Sequence, residues 1–165
     1  MHFFTQLECE AWIAGLGRQK PDLPAAGTRL RFEYPPEPHR IFNYAAWIAE
    51  SLTYKQPALL WVTEWGIWPS SENWHLYSKL REVYGEKRLL HEAPGHYFLD
   101  YETADLASFI QVAMLNGWGG YVLMQADYVN VFFSHDEYVD LFAKHAENLP
   151  DVKTGLGVDG TRSEL

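Results

Sequence analysis

Apolar residues recur along the chain at two spacings, one typical of amphipathic helices and one typical of strands. Near the N-terminus, apolar side chains follow the i, i+3, i+4, i+7 pattern of a helix that buries one stripe, formed by Cys9, Trp12, Ile13 and Leu16. Thr5 precedes this stripe, and Glu8 lies three residues after Thr5, which is the form of a capping box. The pattern predicts a first helix that begins after Thr5.

The helical spacing returns in three central segments and predicts helices over residues 41–52, 71–84 and 103–115. The last of these is apolar around most of its circumference, which is typical of a buried helix. A further helix is predicted from Ser134 onward. Ser134 and Glu137 have the capping-box form there, and acidic residues favour the positive end of a helix.

Alternating or continuous apolar runs predict strands between these helices. They span residues 29–34, 58–65, 96–101, 121–125 and 130–134. The first run alternates charged with apolar side chains, so one of its faces is expected in water. The start of the second run is apolar on both faces, as in a central strand. The last two are predicted to form an antiparallel hairpin.

Together these elements predict an α+β fold: a single domain with a mixed or antiparallel sheet of about five strands and four to five packed helices. The length of 165 residues suits one domain, and the 16% of aromatic residues can supply a core of large side chains. Residues 1–149 are predicted to form the globular domain. Residues 150–165 lose the periodicity and are predicted to form an irregular tail.

The cysteine content and the N-terminal segment bear on the compartment. The chain has one cysteine, Cys9, so no intrachain disulfide can form and a reducing compartment is expected. The N-terminus lacks the basic and apolar regions of a signal peptide, and no apolar run approaches the roughly 18–20 residues of a membrane span. The expected location is cytoplasmic, with no membrane partner.

The net charge of −9 is concentrated in one segment of the chain. Residues 92–151 carry ten acids and one base, Lys144, whereas the remainder carries twelve residues of each sign. Nucleic acid is not expected as a partner, because binding to phosphates needs clustered Lys and Arg. The asymmetry favours either a basic protein partner or acidity that serves solubility alone.

One carboxylate stands among indoles in a way that suggests ligand chemistry. Glu64 lies at the end of a predicted strand close to Trp65 and Trp68, and Trp118 is a further candidate wall of a site. Such an arrangement is typical of sites where indole rings stack on a sugar and a desolvated acid titrates high. Glycoside hydrolysis normally needs a second carboxylate across the substrate, which the sequence alone does not place.

Two other strings resemble catalytic or metal-binding motifs. Ser134, His135 and Asp136 contain the residue types of a hydrolase triad, but consecutive side chains point in different directions. His91 and His96 are spaced one residue too far apart for the HExxH motif, and a Pro-Gly pair between them breaks any helix. A loop site made of these histidines and Glu92 would lack a fourth ligand. No catalytic residue, metal or cofactor is therefore predicted.

Three hypotheses for function follow from the sequence. The leading one is a non-catalytic protein-binding module whose acidic surface, within residues 92–151, meets a basic partner. In size and charge such a small acidic α+β protein is similar to immunity proteins that neutralise bacterial toxins, and an adaptor-like role is of the same kind. The second is a small-ligand or carbohydrate-binding domain or a hydrolase, with its site around Glu64. The third is a homo-oligomeric structural protein whose many aromatic residues form a homodimer interface. The residues predicted to contact a partner or ligand are Glu64, Trp65, Trp68, Trp118, Asp127, His135 and Asp136.

Overall fold

The structure is a computed structural model that describes residues 1–18, 28–52, 56–65, 71–125, 129–143 and 145, and these residues form seven strands and four helices. The strands are β1 (His2–Phe4), β2 (Thr28–Glu33), β3 (Ala58–Glu64), β4 (Gly95–Phe98), β5 (Gly119–Met124), β6 (Val129–Phe133) and β7 (Tyr138–Ala143). The helices are α1 (Gln6–Gly15), α2 (Pro38–Leu52), α3 (Ser71–Val83) and α4 (Thr103–Leu115). The α+β class is confirmed. The predicted tail at 150–165 lies outside the described residues.

The seven strands form one sheet in the order β1-β4-β3-β5-β6-β7-β2. Every neighbouring pair is antiparallel, so the sheet is antiparallel rather than mixed, and it is wider than the predicted five strands. The predicted hairpin is present as β5 and β6, with Tyr121 opposite Phe132. Strand β3 lies between β4 and β5, as its run of apolar residues predicts.

Helices cover the two faces of the sheet unequally. Side chains of α2, α3 and α4 pack with one face to form the main core, which includes Leu60 of β3 and Phe109 of α4. Helix α1 packs on the opposite face, where Cys9 and Ile13 meet Leu59 and other strand residues in a smaller core. Leu59 and Leu60 point to opposite faces because successive side chains of a strand alternate.

Two helix starts follow from their sequences. Thr5 is the N-cap of α1: its Oγ1 accepts from the Glu8 amide at 3.3 Å, and Glu8 Oε2 accepts from the Thr5 amide at 2.7 Å. The predicted capping box is therefore confirmed. Helix α2 begins at Pro38, three residues before the predicted start at residue 41, because proline suits the first position of a helix.

The helix predicted from Ser134 is wrong, because this segment is a β-turn followed by β7. The Glu137 amide donates to the Ser134 carbonyl at 3.2 Å, and the Ser134 amide donates to the Tyr138 carbonyl at 2.9 Å. Glu137 has a φ of 63°, which is the left-handed residue of a three-residue hairpin loop. The following residues then alternate between the two faces of the sheet, so a capping-box pattern has been overridden by strand pairing.

Strand β1 was also missing from the prediction. It has three residues, fewer than a periodic pattern needs to be recognised, and it forms one edge of the sheet through its pairing with β4. The other edge is β2, whose alternation of charged and apolar residues was predicted. The two missed strands, β1 and β7, account for the difference between five and seven.

Candidate functional site

The end of β3 and the turn between β6 and β7 meet at one end of the sheet. Strands β3, β5, β6 and β7 are consecutive antiparallel neighbours, so the last residue of β3 lies near the first residue of β5 and near the turn at 134–137. The side chains gathered there are mostly acidic. We call the following residues the acidic end: Glu64, His135, Asp136 and Glu137.

His135 lies between two carboxylates at the acidic end. Its Nδ1–H donates to Glu64 Oε2 at 2.7 Å, and its Nε2 lies 3.4 Å from Asp136 Oδ1. The hydrogen bond to Glu64 raises the pKa of His135, and the negative charges of Asp136 and Glu64 act in the same direction. The Glu64 and Asp136 side chains are 51% and 68% exposed, so both carboxylates face solvent.

A glycine makes room for the Glu64 side chain. A Cβ at Gly119 would lie 2.7 Å from Glu64 Oε2 and 3.2 Å from Glu64 Cβ. The register of β3 against β5 also shifts between Val62 and Glu64. Such bulges re-aim side chains at the ends of strands. The backbone therefore positions Glu64 towards the turn that carries His135.

The two indoles near the acidic end differ in exposure. Trp65 and Trp118 form an edge-to-face pair with ring centroids 5.3 Å apart. Trp118 is 1% exposed and also packs edge-on against Tyr77 at 4.7 Å, so it belongs to the main core. Trp65 is partly buried. A ligand at this end would meet Trp65, because the faces of Trp118 are enclosed by protein.

Five of the seven residues predicted to contact a partner lie in this region: Glu64, Trp65, Trp118, His135 and Asp136. Trp68 and Asp127 lie outside the described residues. Sequence reasoning missed Glu137 and Gly119. Glu137 was attributed to a helix cap, and no sequence signal connects Gly119 to Glu64, because their proximity depends on the strand register.

Several acids of residues 92–151 are occupied by hydrogen bonds within the chain. Their side chains accept from other groups at Glu92, Glu102, Asp105 and Asp140. Asp140 is the most deeply buried of them, at 1% exposure, and it accepts from arginines of β2. Asp100 is exposed just after β4, at the end of the sheet opposite the acidic end. The exposed charge of this segment is therefore distributed over more than one surface.

A second polar cluster lies inside the main core. Tyr77 Oη and His96 Nε2 are 2.5 Å apart, and both side chains are almost fully buried. Burial, assisted by the positive charge of Arg81, lowers the pKa of His96 to about 3, and burial raises the pKa of Tyr77. Tyr77 therefore donates to a neutral imidazole.

The guanidinium beside this pair has no hydrogen-bond partner in the described part of the chain. Arg81 is 1% exposed, and its Cζ lies 5.0 Å from the ring centroid of Phe3. Burial lowers the pKa of Arg81. Sequence reasoning missed Arg81, because an arginine in an amphipathic helix indicates the polar face.

The loop at 91–96 does not assemble a metal site. His96 faces the core, while Glu92 Oε2 accepts from the Leu89 amide at 2.7 Å. Within the described ranges, no three His, Cys, Asp or Glu residues are grouped so that they could hold a metal ion. A pocket of about 380 Å³ opens elsewhere, beside β1, where Glu86 and Arg88 form an ion pair at 2.5 Å.

Comparison with known proteins gives no relative from which a function can be transferred: the chain matches no family model, no curated protein and no solved structure. None of the helices in the described ranges combines the length and the apolar character needed to cross a bilayer. The class is defined by the fold itself, an α+β domain built on one seven-stranded antiparallel sheet.

Proposed function

We propose that this protein is a binding module that engages a basic segment of a partner protein through the acidic end of its sheet. The observation that supports this function is the exposure of Glu64 and Asp136 on either side of His135. Neither carboxylate pairs with a lysine or arginine in the described part of the chain. Exposed carboxylates that are not already paired with a lysine or arginine are available to Lys or Arg side chains of a partner.

Hydrogen bonds fix the backbone of the turn that carries Asp136 and Glu137. The Asp136 amide donates to Ser134 Oγ at 3.1 Å, and backbone bonds join Ser134 to Glu137 and to Tyr138. Glu64, at the end of β3, is connected to this turn through its hydrogen bond to His135. A preorganised set of charges loses little conformational entropy on binding, which favours affinity.

The charge of the whole chain supports the same function. A net charge of −9 produces a negative field that attracts basic molecules and raises their association rate. This long-range attraction weakens as salt shortens the Debye length, to about 8 Å at 0.15 M ionic strength. Binding of a basic partner is therefore expected to be strong at low salt and to weaken steeply as salt is added.

The test is a titration with a synthetic peptide rich in Lys and Arg, followed by Trp fluorescence at low and at high salt. A variant with Glu64→Gln, Asp136→Asn and Glu137→Gln neutralises the acidic end. A matched control neutralises three exposed acids elsewhere through Glu10→Gln, Glu50→Gln and Asp100→Asn. Because both variants change net charge equally, they separate the local site from the overall field.

We expect the acidic-end variant to bind the peptide about tenfold or more weakly than the control variant at low salt. Equal loss in the two variants would mean that net charge alone attracts the peptide and that the acidic end is no site. Absence of binding by the unmodified protein at low salt would also contradict the proposal. A pull-down from the source cell at low and then high salt would identify the natural partner.

A further inference from the structure

The outer edge of β2 carries backbone groups that have no strand partner in the part of the chain described. The Tyr34 amide donates to the Glu137 carbonyl at 2.7 Å, on the side of β7. Backbone groups of successive strand residues alternate in direction, and the register of β2 against β7 is regular. Leu30 and Phe32 therefore also bond towards β7. The N–H and C=O groups that point outward belong to Arg29, Arg31 and Glu33.

We infer that this edge pairs with β2 of a second copy of the chain, antiparallel and with a two-fold axis at Arg31. In this register the outward groups of Arg31 bond to those of the partner subunit's Arg31. The outward groups of Arg29 bond to Glu33 of the partner subunit, and those of Glu33 bond to Arg29 of the partner subunit. An exposed edge strand is a ready template for such pairing. The inference goes beyond the proposed function, since no residue of the acidic end takes part.

The sequence of β2 is complementary to itself in this register. Each Arg29 lies opposite a Glu33, so two pairs of opposite charge form across the axis. On the other face Leu30 lies opposite Phe32, which extends the apolar face of the sheet. Cross-strand pairs of both kinds stabilise a sheet, and the pattern repeats on both sides of the axis because the interface is isologous.

Neighbouring registers are less favourable. Moving the axis to Leu30 replaces both Arg29–Glu33 pairs with Arg29–Arg31 pairs, so attraction between opposite charges is exchanged for repulsion between like charges. Moving the axis to Phe32 places Arg31 opposite Glu33, but it removes one of the three hydrogen-bonded pairs and places Arg29 opposite Pro35, which has no amide hydrogen. The axis at Arg31 is therefore the register that the sequence specifies.

The two Arg31 residues at the axis are each compensated within their own chain. Arg31 Nε and Nη2 donate to the Asp140 carboxylate, both at 2.8 Å, and Cζ lies 3.7 Å from the ring centroid of Tyr138. Charged residues normally protect an edge strand by repelling another strand. Here the carboxylate of Asp140 offsets that repulsion, so the edge remains open to a second copy.

The first test is the oligomeric state, measured by analytical ultracentrifugation from micromolar to millimolar protein at about 0.15 M ionic strength, where repulsion between the acidic chains is screened. We expect a monomer–dimer equilibrium.

Two variants test the charge pairs across the axis. Glu33→Arg creates two Arg–Arg pairs and should raise the dimer dissociation constant about tenfold or more. Asp100→Arg makes the same change of charge at an exposed position next to β4 and should leave the dimer intact. A monomer throughout, or equal behaviour of the two variants, would overturn the inference.

Amide hydrogen exchange then locates the interface. The amides of Arg29, Arg31 and Glu33 should exchange more slowly as protein concentration rises, whereas those of Leu30 and Phe32 are already bonded to β7 and should change little. A dimer that leaves the three outward amides unchanged uses another surface and contradicts the proposal.

A charge-swap pair tests the register itself. Arg29→Glu and Glu33→Arg should each weaken the homodimer, but an equimolar mixture should form a heterodimer, because every cross-axis pair is then one acid and one base. No heterodimer from two folded variants would exclude the register. If Arg29→Glu does not fold, because it places an acid beside Asp140, the comparison of Glu33→Arg with Asp100→Arg still decides.

Discussion

Asp140 on β7 lies opposite Arg31 on β2 and accepts two hydrogen bonds from its guanidinium, from Nε to Oδ1 and from Nη2 to Oδ2, each 2.8 Å long. Arg29 Nη2 donates to the same carboxylate at 2.6 Å. Burial raises the pKa of Asp140, and the hydrogen bonds and charge of Arg31 oppose this rise. One buried carboxylate thus accepts hydrogen bonds from two arginines of an edge strand and fixes the register between β2 and β7.

Asp140→Asn tests this arrangement. The amide keeps the shape of the side chain but removes the charge, so two neighbouring guanidinium groups lose their counter-ion. We expect the free energy of unfolding to fall by about 1–3 kcal/mol in urea titrations near neutral pH. Glu33→Gln on the same edge of the sheet is the control and should change it by less than about 0.5 kcal/mol. An Asp140→Asn variant as stable as the control would mean that burial costs as much as the pairing contributes.

Glu137→Gly should stabilise the protein. Glu137 has a φ of 63°, where an L side chain is strained and glycine is not. We expect a gain of about 0.5–1 kcal/mol in the free energy of unfolding, measured by urea denaturation. Asp136→Gly is the matched control in the same turn, and it should lower stability because Asp136 has no positive φ to relieve. A loss of stability in Glu137→Gly would show that the side chain contributes more than the backbone strain costs.

The sequence predicted the elements whose signal is local. The capping box of Thr5 and Glu8 marked the start of α1, and the helical spacing of apolar residues marked α4 over residues 103–115. It failed at residues 134–143, because Ser134 and Glu137 have the same spacing in a capping box and in this hairpin turn. What decides between them is the pairing of β7 with β6, directly before the turn, and with β2, which is far earlier in the chain.

The candidate site depends even more on long-range register. Glu64 and His135 are far apart in sequence and meet only because β3, β5 and β6 are adjacent. The sequence identified both residues by their chemistry but contained no signal that they bond to each other. The sequence also counted Asp140 among the acids of the predicted acidic surface. Asp140 is buried instead, because Arg31 lies opposite it on β2 and pairs with its carboxylate.

Titration of His135 tests the bond at the acidic end. The hydrogen bond to Glu64 raises the pKa of His135 above the ordinary value for histidine, and Asp136 adds to the rise. A raised pKa means that the bond stabilises the fold at pH below the unfolded value, and that this contribution is lost as pH rises through the folded value. NMR of the imidazole carbons should show the raised pKa, and Glu64→Gln should lower it. Asp100→Asn should leave it unchanged, and an equal effect of both substitutions would contradict a direct bond.

Two adjacent glycines of β5 should respond differently to alanine. A Cβ at Gly120 would lie 2.9 Å from both Phe133 Cζ and Val62 Cα, and closer still to the Trp61 carbonyl oxygen. Backbone atoms of a central strand cannot move aside, so Gly120→Ala should cost about 3 kcal/mol or more of stability. At Gly119 the nearest atom is the flexible end of Glu64, so Gly119→Ala should cost less than about 1 kcal/mol. Urea denaturation of both variants provides the comparison, and equal costs would contradict the packing argument.

The buried imidazole of His96 should make the fold sensitive to acid. Burial, with the positive charge of Arg81, lowers its pKa to about 3, whereas a histidine in the unfolded chain titrates at about 6.5. Between these pH values the unfolded chain binds a proton that the folded chain does not. The free energy of unfolding should therefore fall as pH decreases through this window, by at most about 1.4 kcal/mol per pH unit from this residue.

His96→Gln removes the titrating group, so the stability of this variant, measured by urea denaturation, should fall less steeply between about pH 6.5 and pH 4. The variant should also be less stable near neutral pH, because glutamine does not reproduce the packed imidazole ring that accepts from Tyr77 at 2.5 Å. Parallel stability curves for the two proteins would mean that His96 binds its proton equally well in the folded and unfolded chain.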